Sequence, residues 1–187
     1  YYVQNIEAPL TLQAGAAENV YTSITASGIS ASATVHFVGA GAMFELSEGS
    51  SFTKTYDSAN DRIVFDVYGN VSLNSIALSV FTIRVNSNAY VLPINHNVSL
   101  NIHSGTTTVN QDVALLPGVR VSVDSGAELQ VAAGSSVYVY DKDKWGTYCN
   151  GGQFKSIAYS PTKAKNRTNA DLVDVVIDVN GTVTADG

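Results

Sequence analysis

Between residues 118 and 141 the chain reads "GVRVSVDSGAELQVAAGSSVYVYD", with glycine at every eighth position: Gly118, Gly126 and Gly134. Apolar and polar residues alternate between the glycines. Valines 119, 121 and 123 share parity with Ala127, Leu129, Val131, Val137 and Val139, and Val113 and Leu115 precede them in phase. Such alternation marks strands with one face buried. Glycine, serine, aspartate and asparagine at the breaks suit corners that need unusual backbone angles. After a long interruption Val175, Ile177, Val179, Val183 and Ala185 return to the same parity.

A chain of hairpins would place a turn dipeptide such as Asn-Gly between every pair of strands. Between the regular strands only Asn180-Gly181 qualifies here; the other Asn-Gly pair, Asn150-Gly151, falls in the segment that breaks the rhythm. A solenoid accounts for the pattern better. Each eight-residue unit is one side and one corner of a coil, two or three units make a turn, and stacked coils bury a continuous column. The expected architecture from about residue 89 to 187 is a right-handed parallel β-helix. Weaker copies extend it back through "NVSLNIHSGTTTVNQDVALLPG", with Val98, Leu100 and Ile102 in one strand.

Residues 1–88 carry no eight-residue glycine period. Their strand candidates are "APLTLQAG", "NVYTSITA", "ATVHFVGA", "AMFELSEG", "SFTKTYD", "RIVFDVYG" and "ALSVFTIRV". Gly-, Asn- and Ser-containing turns separate them, as in a β-sandwich. The alternative is a single β-solenoid throughout. In either case "NSNAYVLP" (86–93) is the expected junction.

Composition agrees with an all-β chain. Hydrophobic residues make up 45% and charged residues only 14%. Lys and Glu, common on helix surfaces, are scarce. A net charge of -6 leaves no basic stripe for phosphates, so nucleic acid is not an expected partner. No apolar run is long enough for a membrane helix, so membrane insertion is not expected. The single cysteine, Cys149, excludes an intrachain disulfide. The last residues, "DVNGTVTADG", stop in mid-pattern, which predicts that the coil continues in a longer polypeptide.

The stretch "GVRVSVDSGAELQVAAGSSVYVYDKDKWGTY" resembles β-helical modules of large secreted and cell-surface proteins of gut Firmicutes, of ruminococcal and clostridial type. The end "ADLVDVVIDVNGTVTADG" is similar to their continuation. "NDRIVFDVYGNVSLNSIALSVFTIRV" resembles the last strands of cohesin-like and immunoglobulin-like sandwiches of bacterial surface proteins. These resemblances imply a noncatalytic, extracellular or cell-wall-associated module. Its role would be adhesion, presentation or spacing beside further domains of the same polypeptide. A glycan or another surface protein would be its partner.

The segment 141–169 breaks the rhythm as an inserted loop. It holds Trp145, Tyr148, Phe154 and Tyr159 with six of the chain's ten basic residues. Long loops on rigid scaffolds are where binding concentrates. Aromatic rings suit the apolar face of a sugar, so these four residues are the candidates for a carbohydrate-binding module. Aromatics covering an open side of the solenoid are the structural alternative. Asp141, Asp143 and Gly146 occupy the first, third and sixth positions of a calcium loop. Trp145 and Gly152 stand where the fifth and twelfth ligands belong, so neither calcium nor another cofactor is expected. His36, His96 and His103 are scattered and read as structural or surface residues rather than zinc ligands.

A β-helix polysaccharide lyase or hydrolase is the remaining possibility. It needs acids gathered on neighbouring coils. The outward residues of the cleanest coils are Arg120, Ser122, Glu128, Gln130, Ser136 and Tyr138, which form no such group. No enzyme activity is therefore expected. The sequons at Asn70, Asn97, Asn166 and Asn180 reflect Asn- and Thr-rich β composition.

Overall fold

The computed structural model describes residues 2–6, 10–14, 23–37, 42–57, 59–60, 62–74, 77–78, 83–84, 90–91, 97–115, 118–139 and 174–186. Among these residues the chain is all strand and turn, with no helix. The first strands are β1 (Tyr2–Ile6), β2 (Leu10–Ala14), β3 (Ile24–Ile29), β4 (Ala33–Phe37), β5 (Ala42–Leu46) and β6 (Ser51–Asp57). Then come β7 (Arg62–Tyr68), β8 (Val71–Leu73), β9 (Ala77–Leu78), β10 (Ile83–Arg84) and β11 (Tyr90–Val91). The remainder are β12 (Asn97–Ile102), β13 (Gly105–Val109), β14 (Val113–Leu115), β15 (Arg120–Val123), β16 (Ala127–Val131), β17 (Val137–Val139), β18 (Val176–Val179) and β19 (Thr182–Ala185).

Two mixed seven-stranded sheets carry the structure. The first runs β1-β3-β6-β7-β12-β15-β18, and the second runs β19-β16-β13-β8-β5-β4-β2. A third, three-stranded sheet runs β17-β14-β9, and β10 pairs with β11 alone. Among the strands from β7 onward, every pair within the three larger sheets is parallel. The chain passes through the first, second and third sheets in that order, then begins again. Leu100 pairs with Val121, 21 residues on, and Gly105 with Ala127, 22 residues on. Both offsets fall just short of three eight-residue units.

The glycine period marks corners. Gly118 leads into β15, Gly126 lies between β15 and β16, and Gly134 lies between β16 and β17, all with positive φ. Gly105 has a second constraint: a Cβ there would lie 2.5 Å from the carbonyl carbon of Gly69 on the preceding pass. At this corner the two passes approach too closely for a side chain.

Parallel registry carries one inward parity through successive passes. Phe65, Leu100 and Val121 pair in one row, and Val67, Ile102 and Val123 in the next; all six are buried. The second sheet adds Val71, Leu73, Val109, Ala127 and Leu129, and the third adds Val113 and Leu115. Phe44, Phe52 and Phe65 meet at centroid distances of 4.9–5.8 Å. One hydrophobic cluster extends from Ile24 to Leu129.

Two basic side chains are also buried. Arg62 is buried and donates from Nη1 to Val98 O, Ser99 Oγ and Gly118 O, tying β7 to the next two passes. Lys54 is buried in β6, where desolvation lowers its ammonium to about 8.

The early strands depart from this regularity. The pairs β3/β6, β6/β7, β4/β5 and β5/β8 are antiparallel. Reversals of direction leave no fixed repeat, which explains the missing glycine period. Both seven-stranded sheets contain strands from before and after residue 88: β7 pairs with β12, and β8 with β13. Of the expected junction 86–93, only Tyr90–Val91 lies within the described residues. The inserted loop at 141–169 lies outside them.

The sequence parity holds from Val113 to Leu129 and weakens beyond. Val131 and Val137 are half-buried and Val139 is exposed, although each pairs in register with a buried residue of the preceding pass, Val109, Val113 and Leu115 respectively. Ile177, Val179, Val183 and Ala185 are also exposed. Among the described residues β17, β18 and β19 are terminal strands of their sheets, so no further pass covers them.

Two substitutions test this core. Leu100→Ala, at a fully enclosed position, is expected to cost about 2–5 kcal/mol in urea denaturation. Thr107 is completely buried in the row between Val71 and Leu129, and its hydroxyl has no hydrogen-bond partner among the described residues. Thr107→Val removes that unsatisfied group at similar volume and should stabilise the protein by about 1 kcal/mol. A neutral Leu100→Ala or a destabilised Thr107→Val would contradict this packing.

Candidate functional site

The outward parity of the first sheet builds a row across successive passes. Asp66 pairs with Asn101, Asn101 with Ser122, and Ser122 with Asp178. Ser122 Oγ donates to Asn101 Oδ1 at 2.9 Å, and Asn101 Nδ2 donates to Asp66 Oδ1 at 2.9 Å. Two residues further on, at the corner into the second sheet, Tyr68, His103, Asp124 and Asn180 form a second row. Backbone bonds hold it: His103 N to Val67 O at 3.0 Å, Asp124 N to Ile102 O at 2.9 Å, and Asn180 N to Val123 O at 2.8 Å.

His103 joins the two rows. Its Nε2 lies 2.9 Å from Asp66 Oδ1 and its Nδ1 lies 2.7 Å from Asp124 Oδ2. The imidazole thus connects the pass before its own to the pass after it. A neutral imidazole carries one N–H and can donate to only one of these acids. The imidazolium donates to both. Burial pulls the pKa of His103 down, but hydrogen bonds and charge from Asp66 and Asp124 outweigh it, and the net shift is upward. The Tyr68 ring stacks on the imidazole at 4.6 Å and 20°, an arrangement that favours the cation. Tyr68 remains 43% exposed.

The second sheet carries its own outward rows. Glu128 accepts from Thr106 Oγ1 at 3.2 Å and from Thr184 Oγ1 at 2.6 Å. Thr108 Oγ1 donates to Gln130 Oε1 at 3.3 Å, and Gln130 Nε2 donates to Asp186 Oδ2 at 2.8 Å. Arg120 and Tyr138 are exposed, as the alternation predicts. Glu128 is outward but half-buried between the two threonines.

These contacts bound the chemistry. Both nitrogens of His103 are engaged by carboxylates, so neither is open to accept a proton from a bound molecule. Each oxygen of Glu128 is engaged by a threonine. Among the described residues no three His, Cys, Asp or Glu side chains form a group that could hold a metal ion. What the surface offers is the Tyr68 ring beside a fixed charge cluster and flat ladders of hydroxyl, amide and carboxylate groups.

The aromatic candidates Trp145, Tyr148, Phe154 and Tyr159 lie outside the described residues, as do the calcium-loop residues Asp141 and Asp143 and also His96. His103, read from the sequence as an isolated histidine, is the centre of the constellation found here. The readable signal was its distance from a corner. "DVYG", "NIHSG", "SVDSG" and "DVNG" each place a polar residue, a valine or isoleucine, and then the corner residue shortly before glycine. Aligning these four segments puts Asp66, Asn101, Ser122 and Asp178 in one row and Tyr68, His103, Asp124 and Asn180 in the other.

Compared with protein-family models, curated proteins and solved structures, the chain matches none.

The protonated bridge predicts a pH dependence. The folded-state pKa of His103 lies above its unfolded value of about 6.5. Its contribution to stability is therefore full below pH ~6.5 and is lost as pH rises through the folded value. The stability difference between the wild type and His103→Gln, from urea titrations between pH 5.5 and 9, should be largest at the acid end and shrink with rising pH. A difference independent of pH would show that His103 is not a protonated bridge.

Proposed function

We propose that this chain is a noncatalytic β-helical module of a bacterial secreted or cell-surface multidomain protein, serving adhesion, presentation or spacing. In this reading β7–β9, β12–β14, β15–β17 and β18–β19 are successive coils of a right-handed parallel β-helix. Parallel strands joined by crossovers favour that hand. The irregular, partly antiparallel strands before β7 form its sandwich-like start.

The observation that carries the functional reading is how the outward polar groups are used. Along both main sheets they bond to one another, from Asp66 through Asn101 to Ser122 and from Thr106 through Glu128 to Thr184. Catalytic acids have to converge on a substrate atom and remain free to exchange a proton with it. Mutually satisfied ladders suit a stiff surface. They also suit an extracellular setting, because the chain uses few surface charges.

A specific observation favours a second reading, carbohydrate binding. Tyr68 is exposed and held flat by His103, with Asp66 and Asn101 close by as hydrogen-bonding groups. A sugar could stack on the outer face of such a ring.

Deleting residues 99–119 tests the coil architecture. The cut removes one register unit and leaves Arg120 in the place of Ser99. Coils that contact only their neighbours tolerate loss of one unit. The shortened chain should still unfold cooperatively, with a smaller denaturant dependence in proportion to its reduced buried surface. A chain without cooperative unfolding would sink the β-helix reading. Function is tested by incubating the intact chain with a glycan array and with soluble polysaccharides. Neither retention nor new reducing or unsaturated ends is expected. Retention lost in Tyr68→Ala would establish the carbohydrate-binding alternative, and released products would overturn both.

A further inference from the structure

Asn180 and Gly181 turn the corner between β18 and β19, and they are the one Asn-Gly pair among the described residues. Such a pair is chemically weak, because a glycine has no side chain to keep its main-chain nitrogen away from the asparagine carboxamide. When the Gly181 nitrogen loses its proton and attacks Asn180 Cγ, an N–Cγ bond forms, the Cγ–Nδ2 bond breaks and ammonia leaves. Water then opens the cyclic imide at one carbonyl or the other. One product is aspartate. The other is isoaspartate, in which the main chain runs through the former side chain and is longer by a single carbon. Asn180 is exposed, so water and hydroxide reach it.

The corner resists this chemistry. Gly181 N donates to Val123 O at 3.0 Å, and Asn180 N donates to the same oxygen at 2.8 Å. The nitrogen that has to attack is therefore tied to the preceding pass. Bringing it onto Cγ needs rotation about the Asn180 Cα–C bond, and Gly181 has no room to follow: a Cβ on it would overlap both Asp124 O and Ala127 O. The flanking strands are fixed as well. Val179 pairs with Val123 and Thr182 with Glu128. Thr184 Oγ1 donates to Glu128 Oε1 at 2.6 Å, and Gln130 Nε2 donates to Asp186 Oδ2 at 2.8 Å. Imide closure therefore waits for β18 and β19 to separate locally from β15 and β16.

We propose that Asn180 is a self-modification site gated by this corner: it deamidates when the β18–β19 pass opens, and the isoaspartate formed prevents that pass from closing again in register. Opening of one part of a fold without global unfolding is general behaviour. The added carbon falls between two points fixed on the preceding pass, Val179 on Val123 and Thr182 on Glu128. A longer main chain displaces one of them, and the close approach of Gly181 to Asp124 O and Ala127 O leaves no space to absorb the excess. The new carboxylate also arises in the corner row next to Asp124, whose charge repels it. Each chain thereby keeps a permanent record of the openings of this pass. The inference stands on the corner geometry and needs no ligand.

Incubation of the intact chain in mildly alkaline buffer tests the proposal, with deamidation and isoaspartate read by mass spectrometry on the peptide that contains Asn180. The rate in native buffer should be at least about tenfold below the rate in denaturing urea, because only the open fraction reacts. Urea below the unfolding transition should raise it. Thr184→Ala removes a bond that holds the pass and should raise the native rate about fivefold, the size of one net hydrogen bond, while leaving the rate in denaturing urea unchanged. If Thr184→Ala does not fold, the urea series on the wild type decides alone. Hydrogen exchange on the aged chain should find the amides of β18 and β19 unprotected in the molecules that carry isoaspartate and protected in the rest. Equal native and denatured rates overturn the gate, as does a native rate indifferent to low urea and to Thr184→Ala. Chains that carry isoaspartate yet keep β18 and β19 fully protected overturn the claim that the corner cannot close around it.

Discussion

Parallel registry between successive passes is the constraint on which the described structure rests. Side chains alternate faces along a strand, so a slip of one residue of β15 against β12 would turn Val121 and Val123 outward while Leu100 and Ile102 stay inward. The penalty covers a whole row of buried side chains, and this makes the register specific. The same registry places Gly105 over Gly69 at a corner with no room for a Cβ. It also brings the Arg62 guanidinium within reach of Val98, Ser99 and Gly118 on two later passes.

What registry does for the inward face it also does for the outward one. Polar residues at equivalent positions of different passes stand side by side, and their hydrogen bonds run across the strands. His103 is the most consequential case, because it touches acids on both neighbouring passes and needs a proton to hold both. Its environment shows a balance common to half-buried histidines. Partial burial disfavours the cation, and two flanking carboxylates favour it more strongly. The arrangement links stability to pH while leaving no ring nitrogen open to a ligand.

Legibility varied along the chain for identifiable reasons. Strands β4, β5, β6, β7 and β12 stand where alternating apolar residues place them. β8 was not anticipated; it is three residues long and owes its existence to pairing with β5 and β13. β1 was not anticipated either, because "YVQNI" has too few alternations to stand apart. The cluster at His103 was overlooked because its members are separated by 21 and 37 residues along the chain. No local pattern links Asp66 to Asp124 until the corners are aligned.

The all-β class, the eight-residue rhythm with its corner glycines, and the inward parity from Val113 to Leu129 are determined by the sequence alone. They are local properties: residue alternation, backbone freedom at glycine and the scarcity of helix-forming surface residues. Which strand lies beside which was decided only in three dimensions. Parallel partners stand 21 to 56 residues apart, and the intervening segments differ in length from pass to pass. The antiparallel reversals before β7, the uncovered ends of the core rows and the carboxylates on either side of His103 all follow from that pairing. No residue carries them individually, because each depends on what the neighbouring pass places opposite it.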